Sequence, residues 1–229
     1  MLSRTKQNEV ADAVADLVTA FERCRVDCVA VTSDSDYHVA YRQAVVARQL
    51  VASFRAAPHV THGLKPDFRD LMMARDSAMA DNVRWAVERE GVQGRIFVFA
   101  HNWHIKKSDS LTPPYPEYPY SSPPTSMGQY LAAIFNGAMI ALGSTAGRGE
   151  DALKLPPTEA RGVDARLAQV GLPLFLLDLR KAPGAGPVMD WLNRPQPIRV
   201  NDRFADLNPL QAFDVLMFVD SVTSVHVMH

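Results

Sequence analysis

The chain has 229 residues, with 24 Lys+Arg against 25 Asp+Glu for a formal net charge of −1. Its 47% hydrophobic and 21% charged content suits a buried core and excludes disorder over the whole length. The near-zero charge gives no footprint for nucleic acid or an anionic membrane, and two cysteines exclude a disulfide scaffold. The length allows one domain, taken as residues 1–229.

In chain order, Val10, Val14, Leu17, Val18 and Phe21 recur at helical spacing, and Asp12 and Asp16 interrupt the apolar run a signal peptide would need. No apolar run approaches the roughly 20 residues that span a bilayer, so a cytoplasmic protein without a membrane partner is expected. A second helix is expected from about Asp36 to Ala57, with Tyr37, Tyr41, Val45 and Gln49 on one line and Pro58 ending it. A third runs from about Phe68 to Arg89. Gly91 and Gly94 then bracket a turn into RIFVFA, whose Ile96–Phe99 run reads as a fully buried strand.

Residues 106–125 hold six prolines and three tyrosines and read as a long, polyproline-like loop. Ser126 and Gln129 form a capping box that opens the next helix, and Gly137 supplies its stop. The segment AMIALGSTAG reads as a strand, a short helix is expected from about Thr158, and GLPLFLLDLR reads as another buried strand. After a turn-rich stretch, FDVLMFVDSV closes the chain as a buried strand. Helices alternating with apolar strands predict an α/β fold, with a mixed or mostly parallel sheet and helices on both faces. Such a fold often begins with a strand, whereas this chain begins with a helix.

Two patterns carry chemistry. His101 and His104, in HNWH, directly follow the expected strand Ile96–Phe99, and the carboxyl ends of strands face the ligand crevice of an open α/β sheet. Such a pair can supply a general base, a donor to an oxyanion or metal ligands, or can simply satisfy backbone carbonyls at a loop entrance. The second pattern is ARDSAMADNVRW, in which Arg75, Met79, Asn82 and Ala86 share one helix face while Asp81, Arg84 and Glu88 share the other. Arg75 and Asn82 on a packing face need partners, either an internal network or a bound anion or carbonyl.

Weaker features read more plainly. Cys24 and Cys28 lack a second pair, so buried thiols are expected rather than zinc ligands. GSTAGRG has neither the lysine of a phosphate loop nor GxGxxG spacing, and no GxSxG elbow is present. Asp178 and Asp220 read as strand-end acids, and His226 and His229 as terminal surface residues. No cofactor and no metal are expected.

RDxxMAxNxxW (Arg75, Asp76, Met79, Ala80, Asn82, Trp85) followed by HNxHI (His101, Asn102, His104, Ile105) resembles the erythromycin esterase family. SMGQYL with Met127, Gly128 and Leu131, then IALGSTAGRG and FDVLMFVDSVT, are similar to the family's later blocks, so the resemblance spans about residues 68–220. It implies hydrolysis of an ester, a macrolactone in the best-known members, by water activated by histidine and without an obligatory metal. It implies catalytic roles for His101 and His104, and substrate binding by Arg75, Asn82 and Asn102.

The family's earlier strand and GExxHG-type motif have no counterpart here, since THG at Thr61–Gly63 lacks the glutamate and the strand. The chain thus looks like the C-terminal portion of a longer member, expected to work with its N-terminal half or as a homodimer on a small-molecule ester. A non-catalytic binding or oligomerisation domain that keeps the fold is the alternative.

Overall fold

The computed structural model describes residues 3–57, 66–110, 117–149, 161–200 and 203–223. Thr61–Gly63, Thr158, His226 and His229 lie outside the described residues. Helices α1 (Arg4–Val31), α2 (Asp34–Ala56) and α3 (Arg69–Glu90) pack in succession along the chain. Ser3 and Ser33 cap the first two, their hydroxyls accepting from the amides of Lys6 and Asp36. Val18 of α1 and Tyr37, Ala44 and Val45 of α2 are buried, and the Tyr37 hydroxyl donates to Phe21 O across the α1–α2 seam at 2.9 Å. Phe21 meets Tyr37 and Tyr41 edge-on, with ring centroids 6.2 and 6.3 Å apart.

Cys24 and Cys28, expected to be separate buried thiols, are bonded to one another as a disulfide one turn apart on α1. Helical spacing brings their Cα atoms to 5.5 Å, within the range a disulfide spans.

The apolar run Ile96–Phe99 is not a strand. It pairs with no neighbour among the described residues, and Phe97 and Phe99 are 88% and 92% exposed. Val98 and Ala100 point the other way, onto a cluster with Ala80, Met127 and Leu131. The alternation is that of a strand without the pairing that would make it one.

Two short helices follow, α4 (Asn102–Ile105) and α5 (Met127–Phe135). The Ser126–Gln129 capping box forms with both of its reciprocal bonds. The stop falls at Asn136, in the left-handed region with φ 48°, one residue before the expected Gly137.

Strands β1 (Leu142–Gly149), β2 (Leu174–Asp178) and β5 (Val215–Val222) form a three-stranded mixed sheet in the order β1-β5-β2. β1 lies parallel to β5, with Thr145 opposite Phe218, and β2 lies antiparallel to it. The turn-rich stretch contains an unexpected hairpin of β3 (Gln196–Val200) and β4 (Arg203–Leu207). Helices α6 (Val163–Ala168), α7 (Pro187–Leu192) and α8 (Pro209–Ala212) complete the order.

The α/β class and the mixed sheet therefore agree with the sequence. One sheet face is sealed by Val163, Ile198, Leu207, Phe213, Leu216 and Phe218. The other is open among the described residues: Leu174 and Leu176 of β2 are 61% and 62% exposed, where a fully buried strand was expected. Continuous apolar runs report that both faces are meant to be covered, and here only one is.

Candidate active site

A cavity of about 480 Å³ lies where α3, α4 and the start of α5 meet. It is lined by Arg75, Asp76, His101, Trp103, His104 and Lys106, among others. His101 precedes α4 and caps it, Nδ1 accepting from the Trp103 amide at 3.2 Å. An accepting Nδ1 puts the neutral ring's proton on Nε2, so His101 presents a donor.

His104 is set the opposite way. Its Nδ1 meets Asp76 Oδ1 at 2.8 Å, and a carboxylate there requires Nδ1 to donate. Nε2 then carries the lone pair of a base. Asp76 is 5% exposed, and its other oxygen accepts from the Met127 amide at 2.9 Å, in the first turn of α5. The helix amide and the imidazole together fix the carboxylate, and the carboxylate fixes the tautomer of His104. The sequence reading quoted Asp76 in its motif without giving it a role. Its spacing four residues before the buried Ala80 was the available signal.

The three expected binding residues separate. Arg75 is exposed, not on the packed face, and rims the cavity. Asn82 faces α2: its carbonyl accepts from Arg42, and its amide donates to Gln49 Oε1 at 3.1 Å. That is the internal-network alternative, and Asn82 does not line the cavity. Its neighbour Asp81, expected to face away, joins the same network through Arg42 at 2.9 Å and Arg84 at 2.7 Å. Burial pushes the Asp81 carboxyl up, but the bonds from Arg84 and Arg42 outweigh it and hold it below the usual range.

Asn102 clamps β1: its amide donates to Ser144 O at 2.5 Å, and its carbonyl accepts from Ser144 N at 2.9 Å. Asp178 and Asp220 pair with Arg180 and Arg148 and do not line the cavity.

Lys106, which the sequence placed at the head of a loop, is the largest missed residue of the site. It is 2% exposed, donates from Nζ to Ser108 O at 2.8 Å, and lies 5.1 Å from the centre of the Trp103 ring. Burial pushes its ammonium down to about 8, against the opposing pull of Asp109 and Asp76. The unfolded chain therefore holds this proton more tightly than the folded one. Below pH 8 both states are protonated and the penalty is constant. Between about 8 and the ordinary 10.5, only the unfolded state stays charged, so stability rises with pH. The gain across that window is on the order of 3 kcal/mol. Urea midpoints measured from pH 7 to 10.5 should show this rise in the wild type, and Lys106→Met should be more stable at pH 7 and lack it. Parallel pH curves for the two proteins would refute the assignment.

The proline-rich segment is anchored where it is described. Pro119 O accepts from Phe68 N at 2.8 Å, and Tyr118 meets the Phe68 ring edge-on at 5.0 Å. Both aromatic residues line the cavity, so this segment walls the site. Among the described residues no group of three or more His, Cys, Asp or Glu is placed to hold a metal, and no helix is long and apolar enough to cross a membrane.

The α/β fold with its mixed sheet thus carries a histidine oriented by a buried carboxylate. The chain belongs to the erythromycin esterase family, whose model matches residues 2–222. A solved structure of a Bacillus cereus protein superposes with TM-score 0.77 at 19% identity, covering 97% of this chain and 54% of that one. A succinoglycan biosynthesis protein does so with TM-score 0.72 at 20% identity, covering 97% and 52%. A point mutant of the erythromycin esterase EreC, in its open conformation, gives 0.64 at 16% identity, covering 96% and 54%. These likenesses establish the fold, and the chain spans about half the length of each. Among curated proteins none matches the chain.

Proposed function

We propose that this chain contributes the histidine pair of an ester hydrolase, a macrolactone such as erythromycin being the substrate the family name suggests. The observation that carries the reading is the opposite setting of the two imidazoles in one cavity. His104 Nε2 removes a proton from water as the water oxygen attacks the ester carbonyl. The developing oxyanion accepts from His101 Nε2–H, with the Arg75 guanidinium at the rim adding positive charge. As the tetrahedral intermediate collapses, the C–O bond to the alcohol breaks and protonated His104 returns the proton to the leaving oxygen. A carboxylic acid and an alcohol result, with no cofactor.

The open sheet face calls for a covering partner, an N-terminal half or a second copy of the chain, in a cytoplasmic setting. Hydrolysis of erythromycin and of an activated aryl ester tests the reading. His104→Asn should lower kcat/KM by about 100-fold or more, as loss of a general base does, and His101→Asn by a smaller factor with KM little changed. Equal rates in the wild type and both variants would sink it.

A further inference from the structure

The wall of the 480 Å³ cavity changes character along its length. Its lining follows one face of α3, from Phe68 at the N-cap through Leu71 and Met72 to Arg75 and Asp76. The first three are apolar, and Asp76 stands about 12 Å beyond Phe68 along the helix axis. Asp76 holds His104, and the other polar lining residues, His101, Lys106 and Ser126, join that end through α4 and the start of α5.

At the apolar end Phe68 and Tyr118 make a corner. Their rings stand at 87° with centroids 5.0 Å apart. Phe68 is half-buried and Tyr118 is 47% exposed, so each keeps surface that an occupant can touch. The corner is fixed by the backbone around it: Phe68 N donates to Pro119 O at 2.8 Å, and the Asp67 carboxylate accepts from Ser121 N at 3.1 Å and Arg69 N at 2.9 Å. The bonds from Ser121 and Arg69 hold the Asp67 carboxyl below the usual range, so the anchor stays charged at neutral pH. Two perpendicular rings offer a face and an edge together. A third aromatic ring completes that arrangement, offset against one face and edge-on to the other, whereas a saturated ring has neither a negative face nor a positive edge. A wall held in place beforehand needs no ordering to receive it.

We propose that Phe68 and Tyr118 form a subsite for an aromatic ring, so that the ester taken by this cavity carries an aryl group on a short chain, its carbonyl reaching toward the histidines. The ester in this statement rests on the hydrolytic reading, but the ring subsite does not, because its occupancy can be read without turnover.

Two amides that keep the carbonyl, N-(3-phenylpropyl)acetamide and N-(3-cyclohexylpropyl)acetamide, are the probes, and their dissociation constants for the full chain are measured by NMR titration. The cyclohexyl compound is the more hydrophobic, so an indifferent apolar wall would favour it. The phenyl compound should instead bind more tightly by about three- to tenfold. Tyr118→Leu and Phe68→Leu should each bring that ratio to one or below while changing the cyclohexyl constant by less than about twofold. Tyr118→Phe, which keeps the ring, should preserve it. The proposal is overturned if the cyclohexyl compound binds as tightly as the phenyl one, if neither binds, or if the ratio survives in both leucine variants. Should Phe68→Leu fail to fold, the exposed Tyr118→Leu decides alone. Hydrolysis of 3-phenylpropyl acetate reads the other claim separately. A phenyl preference without turnover removes the hydrolytic reading and leaves the ring subsite standing, whereas turnover without the preference overturns the subsite alone.

Discussion

Gly128→Ala is expected to separate the two short helices that carry the site and to destabilise the domain by on the order of 3 kcal/mol. Gly128 is the second residue of α5 and is buried. A Cβ built there would fall within 3.0 Å of the Ile105 carbonyl carbon and oxygen and of Lys106 O. These are backbone atoms at the end of α4, so no rotamer change relieves the clash. Moving α5 away breaks a chain of contacts: Ser126 Oγ donates to Lys106 O at 2.6 Å, and Asp76 accepts from Met127 N. The loss of stability should therefore come with loss of the His104–Asp76 pairing. Urea unfolding measures the first and the imidazole nitrogen shifts of His104 the second. Gly137→Ala is the control, because nothing lies within 4 Å of its added Cβ and the change should stay within about 0.5 kcal/mol. Similar midpoints for the two variants would show that α5 yields freely and that the close approach is not restrictive.

Asp76→Asn should produce a comparable loss by chemistry instead of volume. The carboxylate accepts from two donors, the Met127 amide and His104 Nδ1–H. A carboxamide has one oxygen and an NH2, so it can serve only one donor and presents its own N–H groups to the other. Retaining Met127 turns the NH2 toward His104, whose Nδ1 must then accept and whose proton moves to Nε2. The base is lost while the ring stays in place. Roughly 2–3 kcal/mol of stability should go with the charge-assisted bonds. Any histidine-dependent turnover should fall by on the order of 10⁴, as an oriented imidazole does when its carboxylate becomes an amide. An Nδ1-protonated His104 in Asp76→Asn, seen by nitrogen NMR, would remove Asp76 from this role.

Local signals were legible and their partners were not. Ser126 with Gln129 announced the start of α5, and the apolar runs marked β1, β2 and β5, because caps and hydrophobic runs are written over a few adjacent residues. The histidine pair was found in the same way, by spacing. What periodicity cannot carry is the identity of a distant neighbour. Asn82 and Arg75 occupy one helical stripe on a wheel, yet α2 claims Asn82 through Arg42 and Gln49 while Arg75 is left at the cavity rim. Ile96–Phe99 has the composition of a strand, but a strand also needs a partner, and none of the described residues supplies one. Lys106 was hidden for a related reason. A lysine heading a proline-rich stretch reads as solvated, and only the folding of Trp103 and α5 around it takes it out of water.

The Asn102 clamp gives the sheet a boundary. A primary amide offers the same donor and acceptor as a peptide group, so at Ser144 the side chain stands in for one residue of a neighbouring strand. Two residues along, the carbonyl of Ala146 is engaged by Arg199. Sheets polymerise when a bare edge templates the next chain, and this edge is stoppered at two successive outward positions by polar side chains from elsewhere in the fold. Growth along β1 is thereby confined to the stretch beyond Ala146, so that any strand recruited there arrives in a register already chosen.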